Sequence, residues 1–299
     1  MIRMQALTKK FESVTAVDGV DLTVNDGEIF GLVGPDGAGK TTLMRMILGI
    51  MDSTSGTIEV MGTSQIESVK KSIGYIPQHF SLYRDMTVME NIHLIGSLYG
   101  ESMDVIDIRA KEILAFTGLL PFADRLVENL SGGMKQKLSL AAGLMHKPKL
   151  FFLDEPTVGV DPVSRREFWQ MIYQLNKEGM TIFVSTPYMD EAELCTRIAF
   201  MHEGRIVACA SPEELRGGYP YKILELSIGE RDIKKHLLEC GLTDINAFGA
   251  KYHLVTESPD QARKDATACL NRAGYAGFTL EEISPTMEDV FVAMAKEAV

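Results

Sequence analysis

The sequence predicts a two-part α/β protein: a large α/β domain wrapped round a glycine-rich loop, then a small α+β sandwich. Three observations predict it. The apolar run Ile29-Phe30-Gly31-Leu32-Val33 leads into a glycine-rich loop and then the helical pattern Thr42-Leu43-Met44-Arg45-Met46-Ile47-Leu48. A second apolar run, Leu150-Phe151-Phe152-Leu153, ends in Asp154-Glu155. The stretch Gly217-Gly218-Tyr219-Pro220 then breaks the pattern and sets the expected domains at 1–217 and 218–299.

The elements follow in order. Residues 2–8 and 20–24 alternate like strands, with Phe11 expected in the loop between them. Asn25-Asp26-Gly27 turns the chain into the strand at 29–33, and 42–48 is helical. Strands follow at 57–60 and 72–76, the latter ending at Pro77-Gln78. From Val88 to about Thr117 the pattern is helical and charged. Residues 131–146 are helical too, with Leu138, Leu140, Ala141, Leu144 and Met145 as an apolar stripe. After the strand at 150–153, a helix runs over 162–178 and stops at Gly179. Strands are expected at 181–185, 197–202 and 205–209, and Ser211-Pro212-Glu213-Glu214 opens a helix. Beyond the glycine pair the order is strand 222–227, helix 231–240, strands near 243–248 and at 252–256, helix 259–273, strand 278–282 and helix 286–295. Two βαβ-like halves of this kind make a ferredoxin-like domain.

Composition narrows the function classes. The 299 residues are 45% apolar, enough for a proper core, and carry a net charge of −11. Both halves are acidic, so no basic stripe for nucleic acid is expected. Cys195, Cys209, Cys240 and Cys269 are widely spaced without a C-x-x-C, which reads as reduced, mostly buried thiols rather than a disulfide or metal framework. Met1-Ile2-Arg3-Met4-Gln5 lacks the apolar core of a signal peptide, and no apolar run is long enough to span a bilayer.

The loop Gly34-Pro35-Asp36-Gly37-Ala38-Gly39-Lys40-Thr41-Thr42 fits G-x-x-x-x-G-K-[ST] between a strand and a helix. Its glycines let backbone N–H groups curl round an anion, and the helix N-terminus adds partial positive charge. Lys40 supplies a full charge to terminal phosphates, and the Thr41 hydroxyl is a magnesium ligand. Asp154, at the end of a buried strand, is the second magnesium partner, and Glu155 beside it orients and polarises an attacking water.

Ser131-Gly132-Gly133-Met134-Lys135-Gln136 lies just before the Asp154-Glu155 strand. Alone, Ser-Gly-Gly is only a helix cap. With the other motifs, in this order, residues 2–215 closely resemble the ATP-binding-cassette family. That resemblance implies a P-loop NTPase cassette: a RecA-like mixed sheet core, an antiparallel β subdomain and a helical subdomain at about 82–145. It implies ATP and Mg2+ as ligands. It implies that Ser131, Gly132 and Gly133 grip the γ-phosphate of ATP held by a second cassette. It further implies that Gln78 reaches magnesium and the attacking water, that Asp161 in Gly159-Val160-Asp161 lies in a loop crossing the dimer interface, and that Phe11 stacks on adenine. The family usually has Leu where Val160 stands.

One position departs. In Val184-Ser185-Thr186-Pro187-Tyr188-Met189-Asp190-Glu191-Ala192, Pro187 takes the place of the family's γ-phosphate histidine. Proline offers neither a side-chain donor nor an N–H. Losing one such donor typically costs about 10²–10³ in rate, so slow hydrolysis at this chain's own loop is expected. Asp36, where Asn is commoner, adds a negative charge near the phosphates.

The ending Ser284-Pro285-Thr286-Met287-Glu288-Asp289-Val290-Phe291 resembles that of daunorubicin-resistance-type export ATPases. The expected protein is therefore the ATPase subunit of a bacterial exporter, peripheral on the cytoplasmic face of the cell membrane. It would drive separate membrane-spanning permease subunits, gripped through about 79–100, including Tyr83, Glu90 and Asn91. The alternative is an ATP-binding but poorly hydrolysing half of a heterodimeric motor. A cassette of translation or DNA repair would need tandem cassettes, coiled-coil insertions or zinc modules, none of which the sequence carries.

Overall fold

A computed structural model describes residues 1–229, 233–242, 244–248 and 251–297. The chain divides into two compact units, Met1–Pro212 and Glu213–Glu297. The division falls before Gly217-Gly218, because the helix running to Gly217 groups with the second unit.

In the first unit, β1 (Ile2–Phe11), β2 (Val14–Val24) and β4 (Ser55–Val60) form an antiparallel sheet in the order β2-β1-β4. The hairpin is tighter than the sequence suggests: Phe11 pairs with Val14 and ends β1, rather than lying in a loop. The main sheet contains β3 (Ile29–Val33), β5 (Ile73–Ile76), β6 (Leu150–Asp154), β7 (Thr181–Thr186), β8 (Arg197–His202) and β9 (Arg205–Ala210). Its order is β5-β6-β7-β3-β8-β9, parallel throughout except that β9 returns antiparallel to β8. All five residues of β3 and of β6 are buried, which is why both read as unbroken apolar runs: a parallel strand is covered on both faces.

The helices of this unit are α1 (Lys40–Ile47), α2 (Ile66–Val69), α3 (Val88–Leu98), α4 (Met103–Phe116), α5 (Gly132–Leu144), α6 (Pro162–Lys177) and α7 (Met189–Ala192). The single helical stretch expected over 88–117 is two helices, α3 stopping at Gly100 with φ +80°. Helices α3, α4 and α5 share an apolar cluster of their own, including Val88, Ile92, Ile106, Leu114 and Leu138. This is the helical subdomain. Among the described residues no helix is long and apolar enough to cross a membrane.

The second unit opens with α8 (Pro212–Gly217) and then runs β10 (Lys222–Ser227), α9 (Lys234–Glu239), β11 (Ile245–Phe248), β12 (Lys251–Thr256), α10 (Pro259–Arg272), β13 (Thr279–Ile283) and α11 (Met287–Glu297). The starts expected for a helix at Arg231 and a strand at Thr243 lie outside the described residues. The sheet is antiparallel in the order β11-β12-β10-β13, the ferredoxin-like arrangement. At its closing motif, Asp289 accepts hydrogen bonds from the Thr286 amide and hydroxyl (2.9 and 2.7 Å) while also bonding the buried His253 ring at 2.9 Å. The motif is thus a helix start fastened to β12, more than a cap.

The thiol expectation needs correction. Cys240, at the C-terminus of α9, is joined to Cys269 of α10 in a disulfide. Helices α9 and α10 pack together on one core, bringing close two cysteines 29 residues apart, which spacing alone does not reveal. Cys195 is buried and Cys209 exposed, both free.

Candidate active site

The centre of the first unit is the loop between β3 and α1. Gly34 donates its N–H to Thr186 O at 3.3 Å, tying the loop's start to the end of the neighbouring strand. A Cβ at Gly34 would lie 2.2 Å from Met201 O, and one at Gly39 (φ +105°) 2.2 Å from Ala16 O, so no other residue fits either place. Gly39 heads α1 without a side-chain cap, which leaves the first helical N–H groups free for an anion. Pro35, Asp36 and Gly37 form the exposed rim, and Ala38 is buried beneath them.

Lys40 is only 3% exposed. Its ammonium turns back to donate to Gly34 O (2.8 Å) and Pro35 O (3.0 Å), and pairs with Glu155 Oε1 at 3.2 Å. The other carboxylate oxygen of Glu155 accepts from Gln78 Nε2 at 2.8 Å. Glu155 itself sits at φ +50°, a conformation costing about 1–2 kcal/mol for a non-glycine residue. It is held there by its amide, which donates to Ser185 O and Oγ at 3.1 and 3.0 Å.

Asp154 closes the site from below. Its Oδ1 accepts from Thr41 Oγ1 (3.1 Å) and Ser185 Oγ (2.6 Å), while its Oδ2 is buried with no hydrogen-bond partner. An orphaned buried carboxylate oxygen beside a threonine hydroxyl suits a hard divalent cation, which takes oxygen ligands directly or through water. Burial pushes the Tyr75 phenol up, and the Asp154 charge adds to that shift while Arg45 opposes it. The resulting pocket holds about 260 Å³ between Ala16, Gly37, Lys40, Thr42, Gln78 and Glu155.

The loop, Gln78 and Glu155 therefore line one pocket, and Asp154 lies buried behind Thr41. Other expected residues do not line that pocket. Ser131 is exposed at the head of α5 and its Oγ accepts from the Met134 amide at 3.3 Å. Gly132 is exposed, and a Cβ at Gly133 would lie 2.4 Å from Ser164 Oγ of α6, so this glycine also lets two helices approach. Asp161 caps α6, accepting from the Ser164 and Val163 amides at 3.0 and 3.1 Å, and those bonds, Ser164's first, hold its carboxyl below the usual range. Phe11 is 42% exposed, with Lys9 Nζ 5.1 Å from its ring centre. Pro187 follows Thr186 directly and so sits beside the loop's anchor, with only ring carbons to offer.

Asn91 does not face a partner. It is fully buried, bridging Tyr83 N and O at 2.9 Å each, and so orders the segment after Gln78 from within. Sequence reasoning also missed Ser185, Thr157 and the buried Glu191, which the geometry places just behind the site. An acid pair, Asp190-Glu191, was legible there, but nothing local says which member turns inward.

Comparison with known proteins fits this geometry. The ABC transporter family matches residues 17–158. The chain is 39% identical to the probable multidrug ABC transporter ATP-binding protein YbhF of Escherichia coli over 98% of its own length, but spans only 51% of that protein. It is 37% identical to the daunorubicin/doxorubicin resistance ATP-binding protein DrrA of Streptomyces peucetius, covering 98% of this chain and 92% of that one. The dimeric cassette MJ0796 in a post-hydrolysis state with ADP and Pi superposes at a TM-score of 0.65 with 25% identity, covering 71% of this chain and 98% of that one. With a loop, a strand-end acid pair and a serine-glycine helix head in one order, and a relative matched almost end to end, the chain belongs to the ABC transporter family as an ATP-binding cassette.

Proposed function

We propose that this chain binds ATP with Mg2+ and hydrolyses it to drive export through separate membrane-spanning subunits, from the cytoplasmic face of the cell membrane. The observation that carries the reading is that Lys40, Thr41, Gln78 and Glu155 line one pocket, with Asp154 buried behind it and bonded to Thr41. The loop amides and Lys40 hold the phosphates. Thr41 and Asp154, with Gln78, would hold the cation, which when bound offsets the charge that builds on the phosphate oxygens. Before nucleotide arrives, Lys40 neutralises Glu155. Phosphates entering the loop compete for Lys40, and the freed carboxylate orients the attacking water, kept aligned by Gln78. Ser131, Gly132 and Gly133 act on the ATP of a second cassette, Asp161 lies at that interface, and Phe11 stacks on the base. The dimer of MJ0796 supports the two-cassette arrangement, and the multidrug-transporter name of YbhF and the drug-resistance name of DrrA support export.

Pro187 favours a second reading, in which this chain's own site binds ATP but turns it over slowly beside a competent partner. The test is steady-state ATP turnover of the full-length chain against Pro187→His. We expect a slow wild type and a gain of about tenfold or more in the variant. Ordinary turnover in the wild type with no gain in the variant makes this site a competent one.

A further inference from the structure

Glu191 is fully buried on the short helix α7. Its two oxygens accept from two hydroxyls on different strand ends: Oε1 from Thr157 Oγ1, and Oε2 from Thr186 Oγ1 at 2.6 Å. Both threonines are about as buried, at 1% exposed each. Thr157 stands two positions after Glu155, in the turn that leaves β6. Thr186 ends β7, receives the Gly34 amide on its carbonyl and the Tyr188 amide (3.1 Å) on its hydroxyl, and precedes Pro187.

A buried carboxylate is costly, and a well-packed apolar side chain would fill the same space without that cost. What the carboxylate adds is a pair of acceptors that fix two turns at one spacing. Those turns carry the Glu155 carboxylate and the anchor of the phosphate loop. Arg165, in the opening turn of α6, approaches Glu191 Oε1 at 3.6 Å, pairs with Asp190 at 3.1 Å and lies over the Tyr188 ring at 4.4 Å. Its neighbour Ser164 packs against Gly133 at the head of α5. One helical turn therefore touches both the serine-glycine segment and the Glu191 cluster.

We propose that Glu191 is a positioning residue for ATP turnover: it locks the Glu155 turn to the turn bearing Pro187, and Arg165 joins that lock to the helix packed on Gly133. The proposal rests on the ATPase reading above. The test uses the full-length chain with Glu191→Gln, Thr157→Val, Thr157→Ser and the Glu191→Gln/Thr157→Val double variant. Each hydroxyl- or charge-removing variant lowers kcat by about 10- to 100-fold, the scale of a small misplacement of reacting groups. KM and the Kd for a fluorescent ATP analogue stay within about twofold, because only the turnover geometry is disturbed. Thr157→Ser retains wild-type kcat, and the double variant is no slower than Glu191→Gln alone, since both break one connection.

Amide hydrogen exchange in the nucleotide-free chain gives a readout independent of turnover. Glu191→Gln speeds exchange at the Glu155, Thr157 and Tyr188 amides together and leaves β3 and β8 protected. If the wild type turns over no ATP, the ATPase reading fails while exchange still decides the lock. Unchanged exchange at either turn, multiplicative kcat losses, or a parallel fall of kcat, ATP affinity and melting temperature overturns the proposal.

Discussion

Two helix heads in the cassette are built from similar residues and do different things. At α1 the head is uncapped, Lys40 is buried beside it, and the same chain supplies a facing wall of Gln78 and Glu155, with Asp154 bonded to Thr41 behind it. At α5 the head is capped by the Ser131 side chain, and Ser131 and Gly132 are exposed. Both heads offer N–H groups and partial positive charge. Only the first has its counterpart groups in place. The difference teaches that a helix N-terminus becomes a reaction site through what another segment sets against it. For α5 that segment belongs, in the proposed dimer, to a second cassette.

The comparison can be broken most decisively at the α1 side. Glu155→Gln should lower ATP turnover by about 10²–10³ while ATP binding survives, because the phosphate grip is untouched. Loss of ATP binding in that variant would show that the Lys40–Glu155 pair shapes the loop itself. At the α5 side, Ser131→Arg should lower turnover by about tenfold or more while the Kd for ATP of the isolated chain does not move. A weakened Kd would place Ser131 in the chain's own pocket. A smaller effect is expected at Phe11: Phe11→Ala should cost about 0.5–1.5 kcal/mol of ATP affinity, read by equilibrium titration, if the ring stacks on the base.

The smallest effect is expected in the second unit, in stability alone. Burial pulls the His253 imidazole down, but its bond to Asp289 and the nearby Glu225 charge outweigh this and leave it above the ordinary 6.5. Burial likewise raises Asp289, but the His253 and Thr286 bonds prevail and hold its carboxyl below the ordinary 3.8. A raised histidine contributes stability that is full below 6.5 and fades as pH rises through its folded value. A lowered carboxyl contributes above 3.8 and fades as pH falls through its folded value. Thermal stability of the second unit should therefore be greatest between these limits, with the alkaline decline removed by His253→Gln. A melting profile unchanged by that variant means that the pair contributes nothing.

Much of the cassette was legible because its signals are contiguous. The loop from Gly34 to Thr42 carries its own conformational instructions, and fully buried strands announce themselves as apolar runs. The ferredoxin-like fold of the second unit also followed from the alternation of its elements, its strand order coming from the structure. What escaped was lateral. Phe11 falls in a strand because it pairs across a hairpin with Val14, and Asn91 is interior because Tyr83 folds over it. Cys240 and Cys269 meet because α9 and α10 share a core.

By itself, the sequence singled out the residues of the candidate site: a cation in a glycine-rich loop, a hydroxyl next to it, two acids ending an apolar strand, and a proline just after the strand expected at 181–185. Residue type and local spacing suffice for that, since they set charge, hydrogen-bonding capacity and backbone freedom. The tertiary structure alone decided how those groups are held. Thr41 reaches Asp154 across 113 residues and Thr157 reaches Glu191 across 34, because β3, β6 and β7, distant in the chain, end close together in one sheet with β7 in the middle. A hydrogen bond depends on separations of about 3 Å, and sequence distance says nothing about separations in space.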